Sequence, residues 1–390
     1  MFLSYLSIGN CIIFLLLILP FIFIPTVYNP YELPKYILYI IGVIFISTVT
    51  FIEKYRENKS FITFQDIITQ LVLVYMIVVF VANLLGVDSA TSMRGSTFRH
   101  QGFLLLFANV LLVLLLRSFS KEKREDIFLF FRSGIFFSVL FICLFSLWQA
   151  VLTFVFHYGG VPLYQGRIVG TFGNPNFLGG YLVMVLPFIL WNKKYIYLKI
   201  ILVLMIVTVI FLTASRAAMI GLGFVFLAYG FSLSFSPGRW NTFAPRGNWW
   251  FRRIIMVIAF LILIASVAML QLRQSSWDNR MIIWQGGLEA FLRRPILGYG
   301  QENFELAFTK VRFFNVDNAH NIFLEIAVSS GIVGLSLFLV IFFLAFKRAS
   351  LPVKTSLFTF IVIAQFNPLS VVHIVLFWFL VSFTDSKILK

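Results

Sequence analysis

The chain has 390 residues, 60% of them hydrophobic and 12% charged, with a mean hydropathy of +0.95. Soluble domains carry about 25% charged residues, so a soluble globular fold is excluded. The two cysteines, Cys11 and Cys143, lie in apolar runs, which excludes a disulfide framework and a cysteine metal site.

A membrane helix needs about 20 apolar residues. Such runs occur, in chain order, near 3–24, 34–52, 66–86, 101–117, 127–155, 177–191, 196–213, 217–235, 253–271 and 320–346. The first has no basic residue before it and no small-residue cleavage pattern, so it reads as a retained helix rather than a cleaved signal peptide. A last region, 355–383, holds Asn367-Pro368-Leu369-Ser370 near its middle. It reads as one kinked span or as two short helices joined by a turn. The expectation is an all-α polytopic membrane protein with about 12 transmembrane helices, 11 being the alternative. Residues 1–390 form one integral membrane domain in this reading, with a larger extracytoplasmic loop subdomain at 272–319. Within that loop, the stretch from Trp284 to Leu292 has the pattern of an amphipathic helix lying on the membrane.

The net charge of +16 does not point to nucleic acid once its charges are placed. Loops 53–60, 117–132, 192–199, 236–253 and 347–354 carry 18 of the 31 Lys and Arg, and Lys387 and Lys390 lie in the tail. The positive-inside rule makes that set cytoplasmic. An even number of spans then brings both termini inside, which favours 12.

The opposite face holds the unusual residues. His320 stands where a polar segment gives way to an apolar run, with Asp317 or Asn318 placed to cap the helix and His320 in its first turn. Leu324, Ala327, Gly331 and Gly334 follow on the same helical face, the glycines allowing a close neighbour. A histidine at a helix N-terminus is biased towards neutrality, the state a general base requires. Arg216, in Thr213-Ala-Ser-Arg216, sits in a hairpin of almost no length, where a charge at membrane depth is costly. Arg280 enters the expected interfacial helix, with Asp278 as a local ion-pair partner. Arg167 precedes Gly170-Thr-Phe-Gly173-Asn174-Pro175-Asn176, which reads either as a turn or as a loop presenting amides to a ligand. Arg94 and Arg99 flank an outward loop that reads locally as solvated. Arginine forks bind phosphate oxygens two at a time. The acidic residues of this face are scattered, with no spacing that suggests a metal site. The chemistry read from these residues is metal-independent and acts on a phosphate-linked substrate.

The motifs resemble those of the O-antigen ligase and polymerase superfamily. They are His320-Asn-x-x-Leu324 with Gly331 and Gly334, Gly170-Thr-Phe-Gly-Asn-Pro-Asn176, Ser215-Arg216, Arg280-x-x-x-Trp284, and Arg294-Pro-Ile-Leu-Gly298-Tyr-Gly300-x-x-x-Phe304. The loop from Gly95 to Gly102, with Arg99, is similar to the family's earlier outward loop. The resemblance spans 94–346. It implies a multi-spanning glycosyltransferase in a bacterial inner membrane, working on the periplasmic side without a cofactor. The donor would be a glycan on an undecaprenyl (polyprenyl) diphosphate, and the acceptor a lipid A–core sugar or another glycan. His320 would be the base, and Arg216 and Arg280 would hold the diphosphate. Arg94, Arg99, Arg167, Asn174, Asn176 and Asn321 would line the substrate groove. The single large loop before the His320 helix resembles the ligase arrangement. Ligase is therefore the reading adopted, and polymerase the runner-up. A protein O-oligosaccharyltransferase and an anion transporter rank behind. Nucleic acid is not an expected partner; the lipid bilayer is.

Overall fold

The computed structural model describes residues 8–61, 66–158, 162–191, 196–235, 274–308 and 316–384. Side chains 233–235 and 274–278, Asp278 among them, lie outside the description, as does the span expected at 253–271. The regular elements of the described chain are helices, apart from one hairpin of two two-residue strands. The helices are α1 (Ile8–Ile18), α2 (Glu32–Arg56), α3 (Ile67–Leu84), α4 (Ser89–Arg94), α5 (Phe103–Arg117), α6 (Lys121–Phe154) and α7 (Pro175–Leu190). They continue with α8 (Ile196–Thr213), α9 (Arg216–Phe235), α10 (Gln274–Arg293), α11 (Phe304–Ala307), α12 (Ile322–Arg348), α13 (Leu351–Ala364) and α14 (Val371–Ser382). Among the described residues, α2, α3, α6, α8 and α12 are long and apolar enough to cross a membrane.

The ambiguous C-terminal region forms two helices, α13 and α14, of 14 and 12 residues. At 1.5 Å per residue each is shorter than an apolar layer of about 30 Å. Pro368 lacks an amide hydrogen and disfavours helix at the residue before it, which accounts for the break. Ser370 restarts the chain as the N-cap of α14, accepting from Val372 N, and its own amide bonds His373 Nδ1.

The chain divides into two compact units. In the first (Met1–Phe130, Ser276–Ser350, Ala364–Lys390), α3 packs along α12, and α5 packs on α2, α3 and α14. Helix α14 is apolar on every side and buried on every side, as such a pattern requires. In the second unit (Phe131–Ser275, Leu351–Ile363), α7 is the central helix and packs on α8 and α9. It is also apolar all round and almost wholly buried. A Cβ at Gly179 would lie 2.9 Å from Ala218 Cβ and 3.0 Å from Thr213 Oγ1, so glycine sets how closely α7 approaches the α8–α9 hairpin.

Helix α12 is broken at Gly331, which has φ 66° and ψ −168°. The expected continuous face from His320 through Gly334 is therefore interrupted. Main-chain groups of the segment after α10 dock on the break. Tyr299 N donates to Val328 O (2.9 Å), Gly300 N to Ser329 O (2.9 Å), and Ile332 N to Pro295 O (2.7 Å). A side chain at Gly331 would collide with the Ile296 carbonyl. Gly334 has another role from the one expected, since a Cβ there would meet Ser330 of its own helix. Only glycine populates the Gly331 conformation readily, at a cost of about 1–3 kcal/mol for other residues. With the collision added, Gly331→Ala should cost about 3 kcal/mol or more. A melting curve of detergent-solubilised protein would register that as a clear fall in Tm. An unchanged Tm would show that the docked segment does not hold the break.

Candidate functional site

In the first unit, the polar residues gather at the start of α12. The helix begins later than its sequence motifs indicate. Asn321 is the N-cap, its Oδ1 accepting from Phe323 N (3.0 Å) and Leu324 N (3.1 Å). His320 thus precedes the helix instead of lying in its first turn, and neither Asp317 nor Asn318 caps it. Asn318 has a different task, since its Oδ1 accepts from His320 N at 2.7 Å. His320 adopts φ 49°, a left-handed conformation that is uncommon outside glycine and worth noting at a functional position.

The peptide before His320 is tied at both ends. Glu325 reaches back along the helix so that its Oε2 accepts from Ala319 N (2.7 Å). Trp284 Nε1 donates to Ala319 O (3.0 Å). Trp284 lies one turn beyond Arg280 on α10, so both project from one side of that helix. Helix α10 begins at Gln274, which puts Arg280 two turns in and not at the helix entry expected for it. Its inner face packs into a small core of Ala290, Tyr299, Phe304 and Val328, with Ile283 and Leu324 against it. That packing fixes α10 relative to α12, and with it Trp284 relative to His320.

Burial is the main cause holding the His320 pKa down, at about 4, and the Arg280 charge adds to it. Asp317 pulls the other way, and Arg99 adds a smaller depression. The imidazole is neutral at pH 7, and its Nδ1 has no hydrogen-bond partner among the described residues. A depressed histidine pKa means that the unfolded chain binds the proton more readily. Stability from this group is complete above about 6.5 and is lost as pH falls towards 4. In an NMR titration with labelled histidine, the His320 signal should move near pH 4, and Arg280→Met should shift it upward. A wild-type midpoint near 6.5 would contradict the burial of the ring.

Arg99 is the largest departure from the sequence reading. It is not solvated but 7% exposed, and it pairs with three carboxylates. Its Nη2 lies 3.3 Å from Glu302 Oε1 and 3.4 Å from Glu325 Oε1, and its Nε lies 3.9 Å from Asp317 Oδ2. Burial pulls its pKa down, but Glu302, Glu325 and Asp317 more than offset this and raise it. The acidic residues that look scattered in sequence therefore converge. Glu302 also accepts from Ser96 N and raises the pKa of His100, which burial lowers on balance. His100 stacks on Tyr36 with ring centroids 5.1 Å apart. Sequence reasoning missed His100, Glu302 and Glu325, because Glu302 and Glu325 lie 203 and 226 residues from Arg99 and no local pattern links them. Arg94 ends α4 and is exposed, and its carbonyl accepts from Tyr36 Oη (3.2 Å). Among the described residues no group of three or more His, Cys, Asp or Glu is arranged to hold a metal ion.

The second unit carries the other candidates. The hairpin β1 (Leu163–Tyr164) and β2 (Arg167–Ile168) sets the Arg167 guanidinium 5.7 Å from the Tyr164 ring centroid. Gln149 Oε1 accepts from Val169 N (3.1 Å) and Gly170 N (2.9 Å), which fixes the loop. Asn174 caps α7, its Oδ1 accepting from Asn176 N at 2.9 Å, and Pro175 occupies the first helical position. Arg216 is the first residue of α9, separated from the end of α8 by only Ala214 and Ser215, and is partly exposed. The Gly179 contact presses the N-terminal half of α7 against this hairpin.

These features define a multi-pass α-helical membrane protein in which, within the first unit, Arg99 and three carboxylates gather with His320 at the start of a broken apolar helix. Residues 200–339 match the family model described as O-antigen ligase. Over that stretch the chain is similar to the O-antigen ligase family, in agreement with the motifs, and the match supports a function of the ligase or polymerase type. It includes Arg216, Arg280, His320 and Asn321, and leaves Arg94, Arg99, Arg167, Asn174 and Asn176 outside. No curated protein matches the chain.

Proposed function

We propose that this protein is an O-antigen ligase-like glycosyltransferase. It moves an oligosaccharide or polysaccharide from undecaprenyl diphosphate to the hydroxyl of a lipid A–core sugar, on the extracytoplasmic face of a bacterial inner membrane. The observation that carries this reading is His320, kept neutral in a partly buried position under the Arg280 charge, within the family-matched stretch. A neutral imidazole accepts the acceptor's hydroxyl proton as the oxygen attacks the anomeric carbon. The bond to the carrier phosphate breaks as the new glycosidic bond forms, and attack from the opposite side inverts the centre. Charge then develops on the departing diphosphate. Arg280 and Arg216 stabilise it as fixed cations, with no metal required. Substrate contacts fall to Arg94, Arg99, Arg167, Asn174, Asn176 and Asn321. For Arg99 and Asn321 that contact comes through atoms left over from the ion pairs and the helix cap described above.

Arginine is suited to a diphosphate by its planar fork, which lysine cannot reproduce. Arg216→Lys should therefore lose nearly as much activity as Arg216→Ala, about a hundredfold. Near-normal turnover in the lysine variant would show that a point charge suffices.

Polymerase chemistry uses the same groups on another acceptor. The deciding experiment gives the purified protein a carrier-linked oligosaccharide with two acceptors together, a lipid A–core glycolipid and a second carrier-linked repeat. Product on the glycolipid is the expected result. A ladder of lengthened carrier-linked chains would make the protein a polymerase.

A further inference from the structure

The break between α13 and α14 contributes to a cleft that the proposed function touches only through Arg99 and Asn321. Its polar lining is Gln101, Asn318, Asn321, Glu325, Asn367 and Arg99, and its space, about 270 Å³ with the solvent at its mouth included, is open on one side. The polar groups of the break are mostly committed. Leu369 O accepts from Gln101 Nε2, Ser370 N donates to His373, and Val371 N donates to Glu32 Oε2 at 2.8 Å. Asn367 is the exception. It is 7% exposed, and among the described residues its Nδ2 has no hydrogen-bond partner. Arg99 Nη1 is in the same state. A buried donor left without a partner costs about 1–3 kcal/mol, which a ligand would recover.

The chemistry of the lining selects the ligand class. The charge of Arg99 is already matched by Glu302, Glu325 and Asp317, so a phosphate entering here would meet carboxylates and no spare positive charge. Four carboxamides and a carboxylate offer donors and acceptors side by side, the pattern that hydroxyl and acetamido groups of a sugar require. The cleft also shares a segment with the base, because Asn318 and Asn321 stand on either side of His320. We infer that this cleft is a subsite for an uncharged sugar of the acceptor, held by Asn367 Nδ2 and Glu325 next to His320. The word acceptor rests on the transferase reading; sugar binding at the cleft does not.

The test reads binding without turnover, so its failure is separable from failure of the catalytic reading. Saturation-transfer NMR would be run on detergent-solubilised protein with oligosaccharides of glucose, galactose and N-acetylglucosamine, and with inorganic phosphate as competitor. At least one sugar should receive saturation, unaffected by phosphate. Asn367→Leu, which keeps the volume, and Asn367→Asp, which keeps the shape but not the donor, should each weaken it at least tenfold, with Tm confirming the fold. No transfer to any sugar, full displacement by phosphate, or undiminished binding in folded variants of both kinds would overturn the proposal.

Discussion

Replacing His320 with asparagine should lower glycan transfer by about 10² to 10⁴-fold, the range a general base contributes. Asparagine is the informative choice, because the residue sits at φ 49°. Asparagine tolerates the left-handed region, whereas alanine there adds strain of about 1–2 kcal/mol that could be mistaken for a catalytic effect. The loss should fall on kcat with the fold intact, since the peptide is held by Asn318, Glu325 and Trp284 and not by the imidazole. Initial rates on a fluorescent carrier-linked glycan would measure it. Transfer within a few-fold of wild type would remove His320 from the chemistry.

The second large effect is expected at Arg99. Arg99→Leu leaves the side chains of Glu302 and Glu325, 2% and 20% exposed, facing each other without a cation. Breaking a buried pair by deleting one partner costs about 3–5 kcal/mol, because the remaining charge stays buried. Asp317, half exposed and 3.9 Å away, adds little. Activity should fall as well, since Glu325 also holds the Ala319 amide just ahead of His320. Adding Glu302→Gln and Glu325→Gln to Arg99→Leu should recover much of the lost Tm, a coupling that a thermal double-mutant cycle would read. An additive result would mean that Arg99 packs there without pairing.

The apolar helices and the motif positions were legible because period and composition are local. The helix start was not. Asp317, Asn318 and Asn321 are all good capping residues. Asn318 is instead engaged by the His320 amide, and the segment is fixed from a distance by Trp284, which holds the Ala319 carbonyl. The break at Gly331 was hidden for a similar reason. Glycine in an apolar run permits a smooth close approach or a sharp departure, and only the docked backbone of Pro295–Gly300 decides between them. Arg99 looked solvated because its charge is matched by residues from distant parts of the chain. The two helices at the C-terminus were half legible, since Pro368 marks a break but not the partners that satisfy it.

The transferase proposed here forms a glycosidic bond at the expense of a polyprenyl diphosphate link, and both halves of that exchange can be followed at once. Purified protein in proteoliposomes would be given carrier-linked glycan and acceptor, and the product examined by NMR at its new anomeric centre while released undecaprenyl diphosphate is counted. One diphosphate should be released per bond formed, with the anomeric configuration inverted. Donor left intact, or carried across the bilayer unchanged, would contradict it.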